Sequence, residues 1–321
     1  MSSEHKLGAA LDEVLQASKA HVDALAKLKP RRFPWHRIVL PFGRWLYRHY
    51  PNGTLTNRIY WLGLFVSVHR RFPRRDRFLS DVLFRQAVSG ELDKSLRRMV
   101  TDKYESKAYV NEKLGEERAV PTFAVLSSME EVEAYEFPNR CVVKPTVNWK
   151  RVFLRLDGEQ IPYHEFAQWL RHDFFLDTRE TNYKDHPLRL VVEEFALGQQ
   201  DPKEIKILYF DGKLMYFRVF DFVPDYPERH SREYDRHWQP LDLTVDARLL
   251  QVDLEKPVLL DEMAEAGAKI AEDFSGIVRV DFYYDDHDWK IGEITNLPTG
   301  VVTRIPNLAV EREFAKRVFP E

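Results

Sequence analysis

The stretch IVRVDFYYDDHDWKIGEIT, residues 277–295, decides how this chain is read. Two apolar runs flank a polar turn at Asp285–Asp288, which predicts a β-hairpin with strands over 277–284 and 289–295. Side chains alternate across a strand, so Arg279 and Asp281 share a face, as do Glu293 and Thr295. The hairpin register can bring Asp281 close to Glu293. Like charges on one buried face repel unless a cation lies between them. Hard oxygen donors of this kind suit Mg²⁺, which takes one or two carboxylates together with substrate phosphates. The plain alternative is a pair of solvated edge carboxylates.

Upstream, Cys141-Val-Val-Lys144-Pro145 reads as a strand stopped by proline, with a lysine at its end. Such a lysine can reach a phosphate as a point charge, or can simply be a surface residue. Asp102-Lys103-Tyr104 opens a predicted helix over 102–114, and Glu193-Glu194-Phe195 closes a strand over 188–195. Strands over 205–210 and 214–222 are joined by the hairpin turn Asp211-Gly212. Further strands are expected over 119–126 and 152–157. Helices are expected from a Ser127 or Ser128 cap through Glu133, over 163–175, and from Pro257 to about Phe274. Mostly antiparallel strands with segregated helices imply an α+β fold, with two lobes.

The order of these pieces resembles the ATP-grasp superfamily, and more narrowly its TupA-like branch, named for teichuronopeptide synthesis and associated with polysaccharide biosynthesis. The matching motifs are Asp102-Lys103-Tyr104, Val143-Lys144-Pro145, Val192-Glu193-Glu194-Phe195, Phe210-Asp-Gly-Lys213, Tyr234-Asp235-Arg-His-Trp238, Arg279-Val-Asp281 and Gly292-Glu293-Ile-Thr295, with Pro298 and Gly300 following. They cover roughly residues 100–306 and are specific as an ordered set. The resemblance implies two α+β lobes holding ATP between them. Lys103 and Lys144 would contact phosphates. Glu193, Glu194, Phe195 and Ala196 would form the hinge around adenine, and Glu204 would meet the ribose, with Lys206 matching a lysine of the branch. Asp281 and Glu293 would hold Mg²⁺, with Thr295 in place of an asparagine common in related ligases. Arg279, with Lys144, would stabilise the transferring phosphoryl group. Arg232, Asp235 and Arg304 are candidates for holding the substrate. The implied activity is an ATP- and Mg²⁺-dependent carboxylate–amine ligase working through an acylphosphate, on an acidic sugar or glycan. The alternatives are a sugar-hydroxyl kinase and a non-catalytic adaptor on the same fold. One departure stands out: the segment Thr146-Val-Asn-Trp-Lys-Arg151-Val152 has no glycine where the family has a Gly/Ser-rich loop over the phosphates.

Charge is divided unevenly along the 321 residues. The net charge of −3 combines about −1 over 1–28, about +11 over 29–77 and about −13 over 78–321. The expected organisation is therefore a basic, aromatic, helical N-terminal region over 1–99, with an amphipathic helix over 8–28, and an ATP-grasp-like domain over 100–321. Partners suited to the basic segment are an anionic membrane surface, an anionic polymer, or the chain's own acidic body; no nucleic-acid motif accompanies the charge. A single cysteine, Cys141, excludes an internal disulfide and favours a reducing compartment. The start of the chain lacks the layout of a secretory signal, and no apolar run approaches the ~20 residues that span a bilayer. The expected location is cytoplasmic, with peripheral attachment at the inner face of the membrane as an option.

Overall fold

The structure, a computed structural model, describes residues 53–321 apart from 149–150, 201, 222–229, 242–247, 250–252, 303–304, 306–307 and 321. The expected helix over 8–28, residues 29–52 of the basic segment and Arg304 lie outside the described residues. The described part is one compact unit, Gly53–Glu321.

Three helices come first: α1 (Thr54–His69), α2 (Leu79–Val88) and α3 (Ser95–Thr101). The predicted helix over 102–114 starts later, as α4 (Glu105–Leu114). Asp102 explains the delay. Its backbone is extended, and its Oδ1 accepts the N–H groups of Tyr104 and Glu105, an Asx arrangement that separates α3 from α4.

A small sheet follows, in the order β1-β4-β2-β3, from β1 (Thr122–Leu126), β2 (Cys141–Pro145), β3 (Phe153–Arg155) and β4 (Leu190–Glu193). Ser128 caps α5 (Met129–Ala134), its Oγ accepting the Glu131 N–H, as expected. The helix expected over 163–175 divides into α6 (Tyr163–Trp169) and α7 (Phe175–Thr178). Phe166 and Trp169 pack with Leu126, Val132, Cys141, Val143, Leu190 and Val192, so this lobe has its own core.

The second sheet is larger: β5 (Lys203–Phe210), β6 (Lys213–Asp221), β7 (His230–Asp235), β8 (Pro240–Leu241), β9 (Arg248–Leu249), β10 (Ile277–Tyr284) and β11 (Trp289–Thr295). Its order is β11-β10-β5-β6-β7-β8, all antiparallel, with β9 pairing in parallel with β7. Arg232 and Asp235, the two described substrate candidates, both belong to β7. On one face, Ile205, Ile207, Val278, Val280 and Phe282 pack with Met263, Ala266 and Ile270 of helix α8 (Leu260–Ala271). On the other face, Leu208, Tyr216 and Ile277 pack with Trp61 and Phe65 of α1, Leu83 of α2 and Phe314 of helix α9 (Leu308–Val318). These helices cover only one end of that second face. Further along these strands come Lys206 on β5, two residues from Leu208, and Asp281 on β10, four residues from Ile277, directly paired in the ladder.

Candidate active site

A cleft of about 370 Å³ is lined by residues of both sheets. Val142, Leu154, Phe195 and Ala196 give it an apolar part, while Lys103, Lys144, Glu193, Glu204, Asp281 and Glu293 give it a charged part. Residues from five of the seven motifs read from the sequence therefore converge on one cavity, while Phe210–Lys213 and Tyr234–Trp238 do not line it.

The hairpin pairs as its sequence suggests, with Asp281 directly opposite Glu293 and Arg279 opposite Thr295. A bulge makes this arrangement work. The register slips after Asp281, so that Phe282 pairs with Ile291 and Gly292 is left over. Without the slip, Ile291 and Glu293 would point the same way. With it, Glu293 lines the cleft while Ile291 stays in the core at 4% exposure. Glycine is needed at the bulge because a Cβ there would lie 2.5 Å from the Tyr283 ring, which also lines the cleft.

Asp281 is 4% exposed and densely paired. Arg279 grips it with Nε and Nη2 at 2.6 and 2.7 Å, and Lys206 Nζ lies 2.5 Å from Oδ2. Burial alone would raise the Asp281 carboxyl, but Arg279 and Lys206 outweigh it and hold the carboxyl below its usual range. Lys206 also donates to Glu204 Oε1 at 2.7 Å, bridging the residue expected at the ribose and a residue expected at the metal. Glu293 Oε1 lies 3.7 Å from Lys103 Nζ. Among the described residues no three His, Cys, Asp or Glu side chains gather into a metal cage. Two facing carboxylates beside a cleft still match Mg²⁺, which completes its shell with water and phosphate oxygens.

The two lysines expected at the phosphates both line the cleft, and both are engaged within the chain. Lys103 Nζ donates to the backbone carbonyl of Asn148 at 2.5 Å. Lys144 Nζ lies 2.6 Å from Glu193 Oε2. Burial opposes the charge on Lys144, but Glu193 outweighs burial and raises the ammonium above its usual range. Glu193 itself is 2% exposed, and its carboxylate is held between two lysines while the residue lines the cleft. Glu194, Phe195 and Ala196 line the cleft beside it, and the Glu194 N–H is bonded to the Pro121 carbonyl.

Three features escaped the sequence reading. Lys107, on α4, is the second partner of Glu193, at 2.6 Å from Oε1, and burial lowers its ammonium below the usual range. Only its place one turn after Lys103 hinted at it. Asn296, next to Thr295, is used structurally: its amide meets Arg97 and Thr101. Glu180 is pushed up to about 8 by burial, and it joins Glu293 and Arg279 among the charges felt by the Tyr183 hydroxyl. Nothing in its local sequence marks it.

Two expected substrate residues are not brought to the cleft. Arg232 has the opposite parity to Glu233 on β7 and binds Asp253 through Nε and Nη2 at 2.9 and 2.7 Å. Asp235 closes the turn after β7 by accepting the N–H groups of His237 and Gln239, and it pairs with Arg317 of α9 at 2.9 Å. Both charges are used in holding the polar end of the large sheet together. Thr295 Oγ1 is buried and meets no hydrogen-bond partner.

Among solved structures, D-alanine–D-alanine ligase from Bacillus anthracis complexed with ATP is 16% identical over 68% of this chain and 67% of its own, with a TM-score of 0.36. N5-carboxyaminoimidazole synthetase from Staphylococcus aureus complexed with ADP is 14% identical over 63% and 46%, with a TM-score of 0.39. L-amino acid ligase from Bacillus licheniformis is 15% identical over 70% and 50%, with a TM-score of 0.38. The chain thus spans about two thirds of the first of these and half or less of the other two. No curated protein matches the sequence. Residues 82–314, well over half of the chain, match the family described as TupA-like ATPgrasp, and the chain belongs to that family.

Proposed function

We propose that the protein is an ATP- and Mg²⁺-dependent carboxylate–amine ligase that acts on an acidic sugar or glycan. The observation that carries this reading is the convergence of Lys103, Lys144, Asp281 and Glu293 on one cleft with an apolar slot beside them. Val142, Leu154, Phe195 and Ala196 suit an adenine ring, and Glu204 suits the ribose. Asp281 and Glu293 would hold Mg²⁺, which when bound neutralises phosphate charge. Arg279 and Lys144 would meet the charge that gathers on the phosphoryl group during transfer. A substrate carboxylate attacks the γ-phosphorus, an acyl–phosphate bond forms, and ADP leaves. An amine then attacks the acyl carbon, loses a proton, and inorganic phosphate departs. This chemistry requires positioning and charge neutralisation, not a protein nucleophile, which agrees with the fully buried Cys141.

The glycan part of the proposal rests on the family's association with polysaccharide biosynthesis. The basic segment supports contact with an anionic polymer or membrane surface: Leu55 and Ile59 are 70% and 54% exposed on α1 with exposed Arg58 between them, and Arg74, Arg75 and Arg77 are exposed after α1. Arg71 is different, because it is held by Asp81 and Glu311 of the body. Among the described residues no helix is long and apolar enough to cross a membrane. The test is calorimetric titration of Mg·ATP, followed by assay of ADP release with uronate-plus-amine mixtures. Binding that is lost in Asp281→Asn and Glu293→Gln, with ADP release that requires both substrates, supports the ligase. ADP release without an amine, giving a stable phosphate ester, would make the protein a kinase. Binding without turnover on any mixture would make it an adaptor.

A further inference from the structure

Three cations line the cleft, and two of them are already engaged. Lys103 is bonded to the Asn148 carbonyl and lies near Glu293, and Lys144 is paired with Glu193. The third is Arg151. It lines the cleft, has no carboxylate partner among the described residues, and its Nη1 is buried without an acceptor. A buried guanidinium nitrogen left unbonded costs about 1–3 kcal/mol. Arg97, Arg118, Arg189 and Arg218 also carry a buried guanidinium nitrogen without an acceptor, but among these arginines Arg151 is the one that lines the cleft, where a ligand can supply the acceptor.

The position of Arg151 says what that ligand is. It lies in the glycine-free segment between β2 and β3. Lys103, which also approaches Glu293, holds the carbonyl of Asn148 three residues earlier, so the segment is tied to the charged end of the cleft. A phosphate-covering loop usually presents backbone N–H groups, and glycine is what lets the backbone come close enough. Here the segment 146–152 has no glycine to allow that approach. A guanidinium supplies two parallel N–H donors on a long side chain, matched to phosphate oxygens, so it reaches a phosphate without close backbone contact.

We propose that Arg151 is the phosphate clamp of this chain, gripping the β- and γ-phosphates of the nucleotide with its side chain where a glycine-rich loop would use its backbone. The inference rests on the nucleotide reading of the cleft and deepens it. Affinity should then grow with the number of phosphates mainly through this one side chain.

The experiment is titration of adenosine, AMP, ADP and ATP, with Mg²⁺, into the full chain carrying the native residue, Arg151→Ala or Arg151→Lys. The alanine variant should lose ~10–100-fold in affinity for ATP and ADP, the usual worth of a hydrogen-bonded charge, and less than about two-fold for adenosine and AMP. The lysine variant should recover part of the loss, because it restores charge without the two-pronged geometry. Both should melt close to the native protein, since Arg151 holds no carboxylate in the fold. An unchanged ATP affinity in Arg151→Ala, or an equal loss for adenosine and ATP, would overturn the clamp while leaving the nucleotide site intact. Failure of the native protein to bind any adenine nucleotide would overturn both.

Discussion

Lys144 and Glu193 meet at 2.6 Å across neighbouring strands of the small sheet, at the back of the proposed nucleotide cleft. Lys107 closes on the other oxygen of the same carboxylate at 2.6 Å. Two ammonium groups thus share one carboxylate that is 2% exposed. Removing the charge of Glu193 leaves both lysines buried without compensation. Glu193→Gln should lower stability by ~3–5 kcal/mol, the range seen when one partner of a buried pair is lost. Denaturant unfolding measures this directly; a change below 1 kcal/mol would mean that the lysines relax outward to water.

Asp102 should shape the acid limb of stability. It is fully buried, and burial pushes its carboxyl up, but the Arg189 and Thr146 side chains and the Glu105 N–H together hold it below the usual range. A folded-state value below the unfolded one contributes stability that is fully present above the unfolded pKa of about 3.9. That contribution disappears as pH falls through the folded value. Asp102→Asn should therefore be less stable than the native protein at pH 7, and the gap should narrow below about pH 4. Melting curves from pH 2 to 7 test the sign; a gap that stays constant with pH would show that the lost hydrogen bonds, not the charge, matter.

Glu180 should behave in the opposite sense. Burial raises its carboxyl to about 8. A folded value above the unfolded ~4.3 means that stability is progressively lost as pH rises from the unfolded value through the folded one. Glu180→Gln abolishes that penalty. The variant should match the native protein near pH 4 and gain on it steadily up to about pH 8. A difference independent of pH in thermal melts would refute this.

Gly292 should tolerate no side chain. The ring of Tyr283 occupies the place of its Cβ at 2.5 Å. Gly292→Ala must push the ring aside, and overpacking of this kind costs ~1–3 kcal/mol. Because Tyr283 lines the cleft, the variant should also bind Mg·ATP more weakly. Pairing it with Tyr283→Ala, which removes the obstacle, should recover stability relative to Gly292→Ala alone.

Arg232 and Asp235 should prove to be residues of stability. Arg232→Ala loses its contact with Asp253, and Asp235→Asn loses much of its hold on Arg317. Each should lower the melting temperature while leaving the KM for the acid substrate within about two-fold of native, because neither lines the cleft. A selective rise in KM without loss of stability would return them to the substrate site.

The amphipathic alternation over 277–295, the proline after Lys144 and the Asp211-Gly212 turn are local signals, and each specifies its element with little help from the rest of the chain. The strands of the 277–295 hairpin have the boundaries that their sequence predicts. Order along the chain also carried the family, because motifs such as Lys144-Pro145 and Glu293-Ile-Thr295 keep their sequence whatever they touch. Contacts were beyond its reach. The Asp102 turn delays the helix expected from 102, because a side chain competes there for backbone N–H groups. The Gly292 bulge reverses the facing of Ile291 and Glu293, and strict alternation cannot reveal a slip that depends on the partner strand. Lys107 and Lys144, 37 positions apart, share Glu193 only because the fold brings α4 and β2 to the end of β4. Residue types and their spacing determined which chemistry this chain could carry. Tertiary packing decided which charges neutralise one another inside the fold and which, like Arg151, are left facing the cleft, because burial and pairing depend on neighbours far away in sequence.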